Sequence, residues 1–346
     1  MSNATREIGF GIIGAGSVSP LHAAAISNCP GARLVAVADV SEERARKLAG
    51  EAETYADYRE MLKRPDVDVV CVCVPSGMRL PVCIDAARAG KHILAEKPLE
   101  VTLERADAVI AACDEAGVKL AVIFQLRFMP GVLALHSAVE MGQLAKLVMG
   151  DAYVKWYRTQ EYYDSSDWRG TWEMDGGGVL MNQAIHHIDL LQWMMGPVES
   201  VFGQTATLVR ERIEVEDTAA ACVRFASGAL GTIEACTSAS KGVPARLEIR
   251  GERGTVILED GQIALWEVEG VPQPEQEPMD LGSGASDPSA ITSLGHQAQI
   301  DDLVQAINED RPPVVDGHEA RKAIEIIAAI YRSARAGAPV TLPTCS

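Results

Sequence analysis

Three groups of residues in this sequence have types and spacings that suit chemistry on a small molecule. Lys97 stands in Glu96-Lys97-Pro98, directly after an apolar run typical of a strand, and the glycine loop Gly14-Ala15-Gly16 follows another such run. His186 lies in a helical pattern that three glycines precede. A lysine at the carboxyl end of a strand in a dinucleotide-binding sheet points at the reactive end of the cofactor. A histidine can take a proton from an alcohol because its ordinary pKa lies near neutrality. Together these groups predict hydride transfer between an alcohol and a nicotinamide.

The glycine loop predicts a dinucleotide-binding turn. Gly14 and Gly16 allow a tight turn in which backbone amides, with Ser17 and Val18 following, approach a pyrophosphate at the start of a helix. Ser19 stands where the third glycine of this fingerprint would be. Its side chain is small enough to keep helix and strand closely packed, so we count it as a mild departure.

Asp39 ends the next predicted strand, twenty-three residues after Gly16. A carboxylate at this position accepts hydrogen bonds from the adenosine ribose and repels a 2′-phosphate. We therefore predict NAD as the cofactor, with NADP as the alternative. Arg44 is either a solvated helix residue or a bridge to such a phosphate.

Helical spacing places Asn182, His186 and Asp189 on one stripe of the segment after the glycines, while His187 faces elsewhere. Asn182 or Asp189 could then fix the tautomer of His186, which we expect to act as acid or base. The alternative is a histidine that only satisfies a buried hydrogen bond. We predict no metal site, because one histidine and one carboxylate without a nearby cysteine leave the coordination incomplete.

Up to residue 124, short β-branched runs alternate with helical stretches, which predicts an α/β fold with an N-terminal parallel Rossmann sheet over residues 1–124. Its helices are predicted to begin near Ser41 and Thr102, because both are residue types that cap helices. The predicted strands are Gly9 to Ile13, Leu34 to Ala38, Val69 to Val74, His92 to Leu94 and Lys119 to Phe124.

Residues 125–346 change to longer strand-like runs joined by short turns, which predicts a C-terminal α+β domain with a large, mostly antiparallel sheet. A segment rich in Pro, Gly and Ser, Gly270 to Ser289, is predicted to be a surface loop. Two final helices are expected around Leu294 to Asn308 and Gly317 to Ala336. The predicted strands are Leu147 to Tyr157, Val198 to Leu208, Thr218 to Phe225, Ala229 to Ala235 and Arg246 to Leu258.

Composition narrows the expected partners. The chain has 346 residues, 47% of them hydrophobic, which is enough for two cores. Its net charge of −17 opposes binding to nucleic acids and to anionic membranes. The N-terminus lacks an apolar leader and no apolar run has membrane-spanning length, so we expect a cytoplasmic protein. The eight cysteines show neither Cys-x-x-Cys nor metal-ligand spacing and are expected to be reduced thiols.

Several motifs occur together along the chain. They are the glycine loop with His22, the Pro75-Ser76 turn, Glu96-Lys97-Pro98, the run from Gln125 through Arg127-Phe128 to Pro130, Trp168-Arg169, and Gly176 to Asp189. With them the chain resembles, nearly end to end, the glucose–fructose oxidoreductase, inositol dehydrogenase and MocA-like family, abbreviated Gfo/Idh/MocA. The resemblance implies a dinucleotide domain joined to a sheet that supports a homodimer or homotetramer. It also implies hydride transfer at a carbon of a sugar or polyol.

The resemblance implies roles for individual residues as well. Lys97 would polarise the reacting oxygen, and His186 would act as acid/base, with Asn182 and Asp189 as further catalytic residues. The implied cofactor-binding residues are Gly14, Gly16, Ser17, Val18, Asp39, Pro75, Ser76, Glu96, Lys97 and Gln125. The implied substrate-binding residues are Lys97, Arg127, Trp168, Arg169, Asn182 and His186. Arg127 and Arg169 could instead be ion-pair partners, and Trp168 could be a core residue.

Two positions depart from the family's pattern. Asn182 stands where inositol dehydrogenase-like members carry an aspartate, and this change favours the sugar and nucleotide-sugar dehydrogenase branches. Arg79 replaces a common histidine of a Pro-Asn-x-x-His turn. It either remakes contacts near the cofactor or lies on the surface.

We therefore expect an NAD-dependent dehydrogenase or reductase that acts on a secondary hydroxyl of a sugar, an inositol-like polyol or a sugar derivative. One alternative is an oxidoreductase whose tightly held cofactor cycles within one sugar, and another is a non-catalytic NAD-binding sugar sensor. Arg79, Arg127 and Arg169 could recognise a carboxylate or phosphate, while neutral polyols stay open. His296 is expected on the surface, with reach to the site as the alternative.

Overall fold

Six parallel strands form the first sheet of the computed structural model, which describes residues 7–275, 284–286 and 292–343. They are β1 (Ile8–Ile13), β2 (Ala32–Ala38), β3 (Glu53–Tyr55), β4 (Val69–Val72), β5 (His92–Ala95) and β6 (Leu120–Val122). Their order across the sheet is β3-β2-β1-β4-β5-β6, which is that of a dinucleotide-binding sheet. All positions of β4 are buried, as expected for a strand covered by helices on both faces. The predicted parallel Rossmann sheet is confirmed.

The described helices are α1 (Ser19–Asn28), α2 (Glu42–Ala49), α3 (Tyr58–Leu62), α4 (Arg79–Arg88), α5 (Leu103–Ala116), α6 (Pro130–Glu140), α7 (Gln160–Asp164), α8 (Ile185–Met195), α9 (Leu294–Asn308) and α10 (Gly317–Ala336). Both predicted helix starts are confirmed, because the hydroxyls of Ser41 and Thr102 accept hydrogen bonds from backbone amides in the first turns of α2 and α5. The last two helices also have their predicted bounds.

The chain divides into two units, and the first of them is discontinuous in sequence. The first unit comprises Met1–Gln125 with Thr292–Arg321, and the second comprises Leu126–Ile291 with Lys322–Ser346. The sequence predicts a single boundary after residue 124, which would assign residues 292–321 to the second domain. Helix α9 instead belongs to the first unit, because its Ile300, Leu303 and Val304 pack into the same core as β1 and α1.

The second sheet has the predicted large and mostly antiparallel form. Its strands are β7 (Leu147–Lys155), β8 (Val198–Ala206), β9 (Thr218–Phe225), β10 (Leu230–Cys236), β11 (Arg246–Gly251), β12 (Gly254–Glu259), β13 (Gln262–Val268) and β14 (Val340–Thr341). Their order is β13-β12-β11-β7-β10-β9-β8-β14, and β7 and β10 are the neighbours that run parallel. Alternate residues of β9 are buried, so one face of the sheet packs and the other is exposed.

Two predictions in this unit are not confirmed: one strand is divided in two, and one loop is only partly described. The predicted single strand from Arg246 to Leu258 is wrong: β11 and β12 are a hairpin in which Gly251 pairs with Gly254. Apolar residues on both sides of the turn made the two strands look continuous. The predicted loop from Gly270 to Ser289 lies partly outside the described residues. Within it, the carbonyls of Gly284 and Ala285 accept hydrogen bonds from Arg158.

The seven cysteines that the structure describes carry free thiols. In the same described ranges, no helix is both long enough and apolar enough to cross a membrane.

Candidate active site

The residues predicted to bind the cofactor follow the carboxyl ends of the parallel strands. The glycine loop comes after β1, Asp39 after β2, the Pro75-Ser76 turn after β4, Glu96-Lys97 after β5 and Gln125 shortly after β6. Carboxyl ends of parallel strands share one edge of a sheet, and the strand order reverses between β1 and β4, where such sheets bind dinucleotides. The fold therefore brings these predicted residues to one edge.

The glycine loop has the geometry that a pyrophosphate site needs. Gly14 has φ of +95°, and a Cβ there would lie 2.9 Å from the carbonyl oxygen of Cys73. A Cβ at Gly16 would meet no described protein atom within 4 Å, so that side of the loop is open to a ligand. The hydroxyl of Ser19, at the third glycine position, donates to the carbonyl of Gly14. This hydrogen bond explains why serine serves there, and the loop fits a dinucleotide.

Asp39 is held by the loop and by its own helix. Its Oδ2 accepts from the amide of Ala15 at 2.7 Å, and its Oδ1 accepts from the amide of Ser41 at 2.7 Å and from Arg44 at 2.8 Å. Burial alone would raise the pKa of Asp39, but these donors together hold it below the ordinary value. Arg44 is thus paired with Asp39, and its side chain is 57% exposed.

Gln125 offers a separate sign of a ligand. Its Oε1 is buried and accepts no hydrogen bond from any residue that the structure describes. Buried acceptors without a donor are uncommon in folded proteins. The atom could accept a hydrogen bond from a donor group of the cofactor, and the role of Gln125 stays a prediction.

A buried network surrounds the lysine of Glu96-Lys97-Pro98. Nε2 of His22 lies 2.8 Å from Oε1 of Glu96, and Nε2 of His296 lies 3.6 Å from the same oxygen. Burial would raise the pKa of Glu96, but the two histidines hold it well below its ordinary value. The expectation of a surface His296 is wrong: its side chain is 3% exposed, because α9 packs on this part of the sheet.

The same three side chains have residue types that metals favour. Their ligand atoms lie within 4.8 Å of one another. The hydrogen bond between His22 and Glu96 and the electrostatic contact of His296 with Glu96 account for the arrangement, and Arg79 places a buried positive charge close to both Glu96 and His22. We therefore assign these residues to positioning and derive no metal chemistry from them.

The sequence left open whether Arg79 lies on the surface or makes contacts near the cofactor. In the structure Arg79 is buried. Its Nη1 donates to the carbonyl of Glu96 at 2.8 Å and also to the carbonyl of Pro98, and its Nε donates to the carbonyl of Val74 at 3.2 Å. Glu96 and Pro98 are the residues on either side of Lys97.

In the second unit, Glu216 caps the segment that carries Asn182 and His186. Its carboxylate accepts from the amides of Gly178 and Leu180, each at 2.9 Å, and from the hydroxyl of Tyr331 at 2.8 Å. A Cβ at Gly178 would overlap the carbonyl oxygen of Glu216, which explains the glycine. Burial raises the pKa of Glu216 to about 7, against the effect of these donors.

The predicted stripe begins in a π-helical segment, Leu180–Ala184, that leads into α8. Nδ2 of Asn182 donates to Oδ1 of Asp175 at 3.2 Å, and Oδ2 of Asp175 accepts from the amide of Gly170 at 2.7 Å. His186 is 8% exposed. His187 is also buried, and burial lowers its pKa to about 4. Asp175 thereby links the side chain of Asn182 to the backbone of Gly170, the residue that follows Arg169.

Asp189 forms a buried pair with Arg127 within the second unit. Nε and Nη2 of Arg127 donate to its two oxygens at 2.7 and 2.6 Å, and both side chains are 1% exposed. The guanidinium also lies 4.7 Å from the centre of the Trp193 ring. The alternative of an ion-pair role for Arg127 therefore has a geometric basis.

Arg169 lies against two aromatic rings. Its Cζ is 4.4 Å from the centre of the Tyr162 ring and 4.7 Å from that of Trp168, and its Nη1 donates to the hydroxyl of Tyr162 at 2.8 Å. Stacking of this kind orients a guanidinium while leaving its edge able to bind an anion. Trp168, predicted at the substrate, is part of this stack.

Sequence reasoning missed several residues that organise the site. Asp175 and Glu216 hold the segment with Asn182 and His186, and Tyr162 orients Arg169. The Asp-Gly-Gly-Gly run was a signal for Asp175, because a carboxylate beside flexible glycines often binds backbone amides. Glu216 lies some forty residues further along the chain, and only the fold brings it to Gly178.

Comparisons with known proteins identify the family of the chain. A model described as the oxidoreductase family, NAD-binding Rossmann fold, matches residues 8–124, and the GFO/IDH/MocA C-terminal domain model matches residues 132–257. The WlbA dehydrogenase from Bordetella pertussis, solved in complex with NADH and UDP-GlcNAcA, is 36% identical, with a TM-score of 0.87 over 98% of this chain and 100% of that one. The myo-inositol 2-dehydrogenase of Thermotoga maritima is 32% identical over 72% of this chain and 75% of its own. The scyllo-inositol 2-dehydrogenase (NAD(+)) of Bacillus subtilis is 26% identical over 97% of both chains. With a nucleotide-binding sheet, a matching second domain and these relatives, the chain belongs to the Gfo/Idh/MocA family and is an NAD-binding oxidoreductase.

Proposed function

We propose that this protein is a dehydrogenase that oxidises one secondary hydroxyl of a sugar derivative. Bound NAD supplies the hydride acceptor. Lys97 donates a hydrogen bond to the substrate oxygen, and His186 takes the hydroxyl proton. The observation that carries the proposal is the setting of Lys97: it follows β5 at the cofactor edge of the sheet, between two residues that buried groups hold in place.

The two proposed roles are complementary. Negative charge develops on the oxygen as its proton leaves, and an ammonium group that donates to it lowers the energy of that state. The imidazole of His186 must keep one orientation to accept the proton. The cap by Glu216, the link from Asn182 to Asp175 and the pair between Arg127 and Asp189 fix the segment that carries it.

We further propose that the substrate is an anionic, nucleotide-linked sugar. The similarity to a dehydrogenase solved with UDP-GlcNAcA supports this class, as does Asn182 in place of the aspartate of inositol dehydrogenase-like members. Arg79 and Arg127 are engaged by the protein itself, so Arg169, stacked on Tyr162 and Trp168, is the arginine that we assign to the anion. A neutral cyclic polyol is the second candidate, because two similar proteins are named as inositol dehydrogenases.

Nicotinamide absorbance tests the proposal directly. Purified protein is mixed with NAD or NADP and with UDP-GlcNAcA, free aldoses, free sugar acids, myo-inositol and scyllo-inositol. We expect NADH formation with UDP-GlcNAcA. NADH from the inositols alone would support the polyol candidate instead, and tight NADH binding without turnover on any compound would contradict the dehydrogenase assignment.

The first mutational prediction concerns Lys97. Lys97→Met removes the donor to the reacting oxygen, and we expect kcat to fall roughly 10²- to 10³-fold while the dissociation constant for NADH stays nearly unchanged. Quenching of intrinsic protein fluorescence measures NADH binding, and steady-state rates measure kcat. Lys47→Met, on the exposed side of α2, is the matched control and should keep full activity. Full activity of Lys97→Met would contradict the assigned role.

We also propose that the protein forms the homo-oligomer that the family resemblance implies. Phe202 on β8 and Leu230 on β10 are 42% and 50% exposed on the same face of the second sheet, where a second copy would cover them. Light scattering of the purified protein measures the mass, and a monomer at micromolar concentration would contradict this part.

A further inference from the structure

Arg79 is a buried cation whose hydrogen bonds go to backbone carbonyls. It is the first residue of α4 and is 5% exposed. Its Nη1 donates to the carbonyls of Glu96 and Pro98, and its Nε donates to that of Val74. One donor nitrogen is thus shared by the carbonyls of the residues immediately before and after Lys97.

The position of Arg79 differs from that of a residue that only joins α4 to the neighbouring loop. Other bonds already connect α4 to the neighbouring loop. Glu100, which is fully buried, accepts from the amide of Leu80 at 2.7 Å and pairs with Arg105 at 2.8 Å. Neither of these bonds touches residues 96–98. Apart from the bond to Val74, the hydrogen bonds that Arg79 adds therefore go to the segment that carries Lys97.

A second group restrains the same segment from its other side. The carboxylate of Glu96 is held by His22 from α1 and lies beside His296 from α9. The side chain of Glu96 is fixed by these histidines, while its carbonyl is fixed by Arg79. Both the side-chain and the backbone freedom of the residue before Lys97 are therefore restricted.

We propose that Arg79 is a positioning residue for Lys97. Its guanidinium clamps the two flanking carbonyls, so that the lysine main chain keeps one orientation and the ammonium meets the substrate oxygen at hydrogen-bond distance. This inference rests on the proposed role of Lys97. Arg79 acts through Lys97 and touches neither substrate nor cofactor. A small misplacement of a catalytic group lowers the rate strongly while leaving ground-state binding largely intact.

The test compares Arg79→Gln with wild-type protein, using UDP-GlcNAcA or myo-inositol, whichever the wild-type protein oxidises. We expect kcat to fall about 100-fold, with KM and the NADH dissociation constant within about threefold of wild type. Arg79→Lys keeps a cation with three donors on a shorter, less directional side chain, so it should recover about tenfold of the lost kcat.

Arg64→Gln is the matched control. Arg64 lies in the same unit, before β4 and so at the opposite edge of the sheet, and it also makes several hydrogen bonds, to Asp66, Glu53 and Tyr55. Its loss should lower the melting temperature without changing kcat. An equal fall of kcat in Arg64→Gln, or a kcat of folded Arg79→Gln within about threefold of wild type, would overturn the proposal. If Arg79→Gln does not fold, Arg79→Lys decides: a drop of about tenfold in kcat at unchanged KM is expected, and wild-type kcat would overturn it.

Hydrogen–deuterium exchange of the peptide that contains Lys97 provides a readout without turnover. We expect faster exchange in Arg79→Gln and unchanged exchange in Arg64→Gln, because only the first loses contacts to residues 96–98. Unchanged exchange in both variants would overturn the clamp. Wild-type protein that oxidises no sugar would contradict the proposed function, and exchange would then decide the clamp separately.

Discussion

The carboxylate of Asp39 is shared between the glycine loop and Arg44. One oxygen orders the amide of Ala15 in the loop, and the other keeps the guanidinium of Arg44 at 2.8 Å. The arginine that could bind a 2′-phosphate is thus held by the aspartate that repels one. A single residue therefore controls two features that favour NAD.

A substitution at this residue should change the cofactor preference. Asp39→Ser removes the repelling charge and releases Arg44, so we expect the ratio of kcat/KM for NADP to that for NAD to rise roughly 10- to 100-fold. Steady-state rates with each cofactor measure the ratio. Adding Arg44→Ala to Asp39→Ser should remove most of the gain. An unchanged ratio in Asp39→Ser would mean that neither residue sets the preference.

Local motifs predict some of these residues and not others. Asp39 and Lys97 could be placed because each follows a strand, and strand ends have a known relation to the cofactor, whereas Gln125 was implied by the family resemblance. Arg79 and His296 could not, because each is buried by groups distant in sequence. Burial of a charged side chain depends on partners that only the fold supplies.

At the scale of elements, the segment that carries Asn182 and His186 depends on a carboxylate from elsewhere. Glu216, two residues before the start of β9, accepts from the amides of Gly178 and Leu180. The segment begins with a π-helical stretch, so the α-helical spacing used to predict the stripe does not hold over its first residues. The sequence predicted that this segment is helical and which of its residues are polar, but it did not predict how the side chains are spaced around the π-helical turn.

Glu216 should make stability depend on pH. Its pKa rises from 4.5 to about 7 in the folded protein, so the folded state binds more protons than the unfolded chain between these values. This contribution to stability is complete below the lower value and is lost as the pH rises through the upper one. From about pH 5 to about pH 8, wild type should therefore lose on the order of a few kcal/mol of unfolding free energy relative to Glu216→Gln.

Denaturant unfolding at a series of pH values measures this difference. Glu211→Gln is the control, because its side chain is 82% exposed and lies in the same unit. It should follow the wild-type pH dependence. Parallel curves for wild type and Glu216→Gln would show that Glu216 titrates alike in both states.

The strands of the two sheets show which kinds of strand can be predicted from sequence patterns and which cannot. Strand β4 was predicted because its apolar run is short and rich in valine, and β9 was predicted as one of the longer strand-like runs that short turns join. The hairpin of β11 and β12 was missed because its turn interrupts the apolar pattern too briefly. Strand β3, only three residues long, gives no pattern to read.

At the scale of the whole molecule, the first unit takes its last helix from the far end of the chain. Leu303 of α9 is fully buried in the core that contains Phe10 of β1 and Ile26 of α1. The sequence could not predict that α9 belongs to the first unit, because the amphipathic pattern of a helix does not indicate which sheet the helix covers.

A cavity in α9 tests the division into units. Leu303→Ala should lower the free energy of unfolding by about 2–5 kcal/mol, because it leaves a void in a closely packed core. Hydrogen–deuterium exchange should then speed up in β1 and α1. Leu294→Ala, at a position 44% exposed on the same helix, is the control. An equal increase in β7 and β10 would contradict the assignment of α9 to the first unit.

The discontinuity of the first unit also matters while the protein is being made. A ribosome delivers β1 and α1 early, but α9 leaves the exit tunnel only after residues 126–291 have been synthesised. Until then the apolar surface that α9 covers in the finished protein is exposed on the nascent chain. This interval is when we expect chaperones to bind the growing chain, and arrested chains that end before and after α9 would differ in how much chaperone they retain.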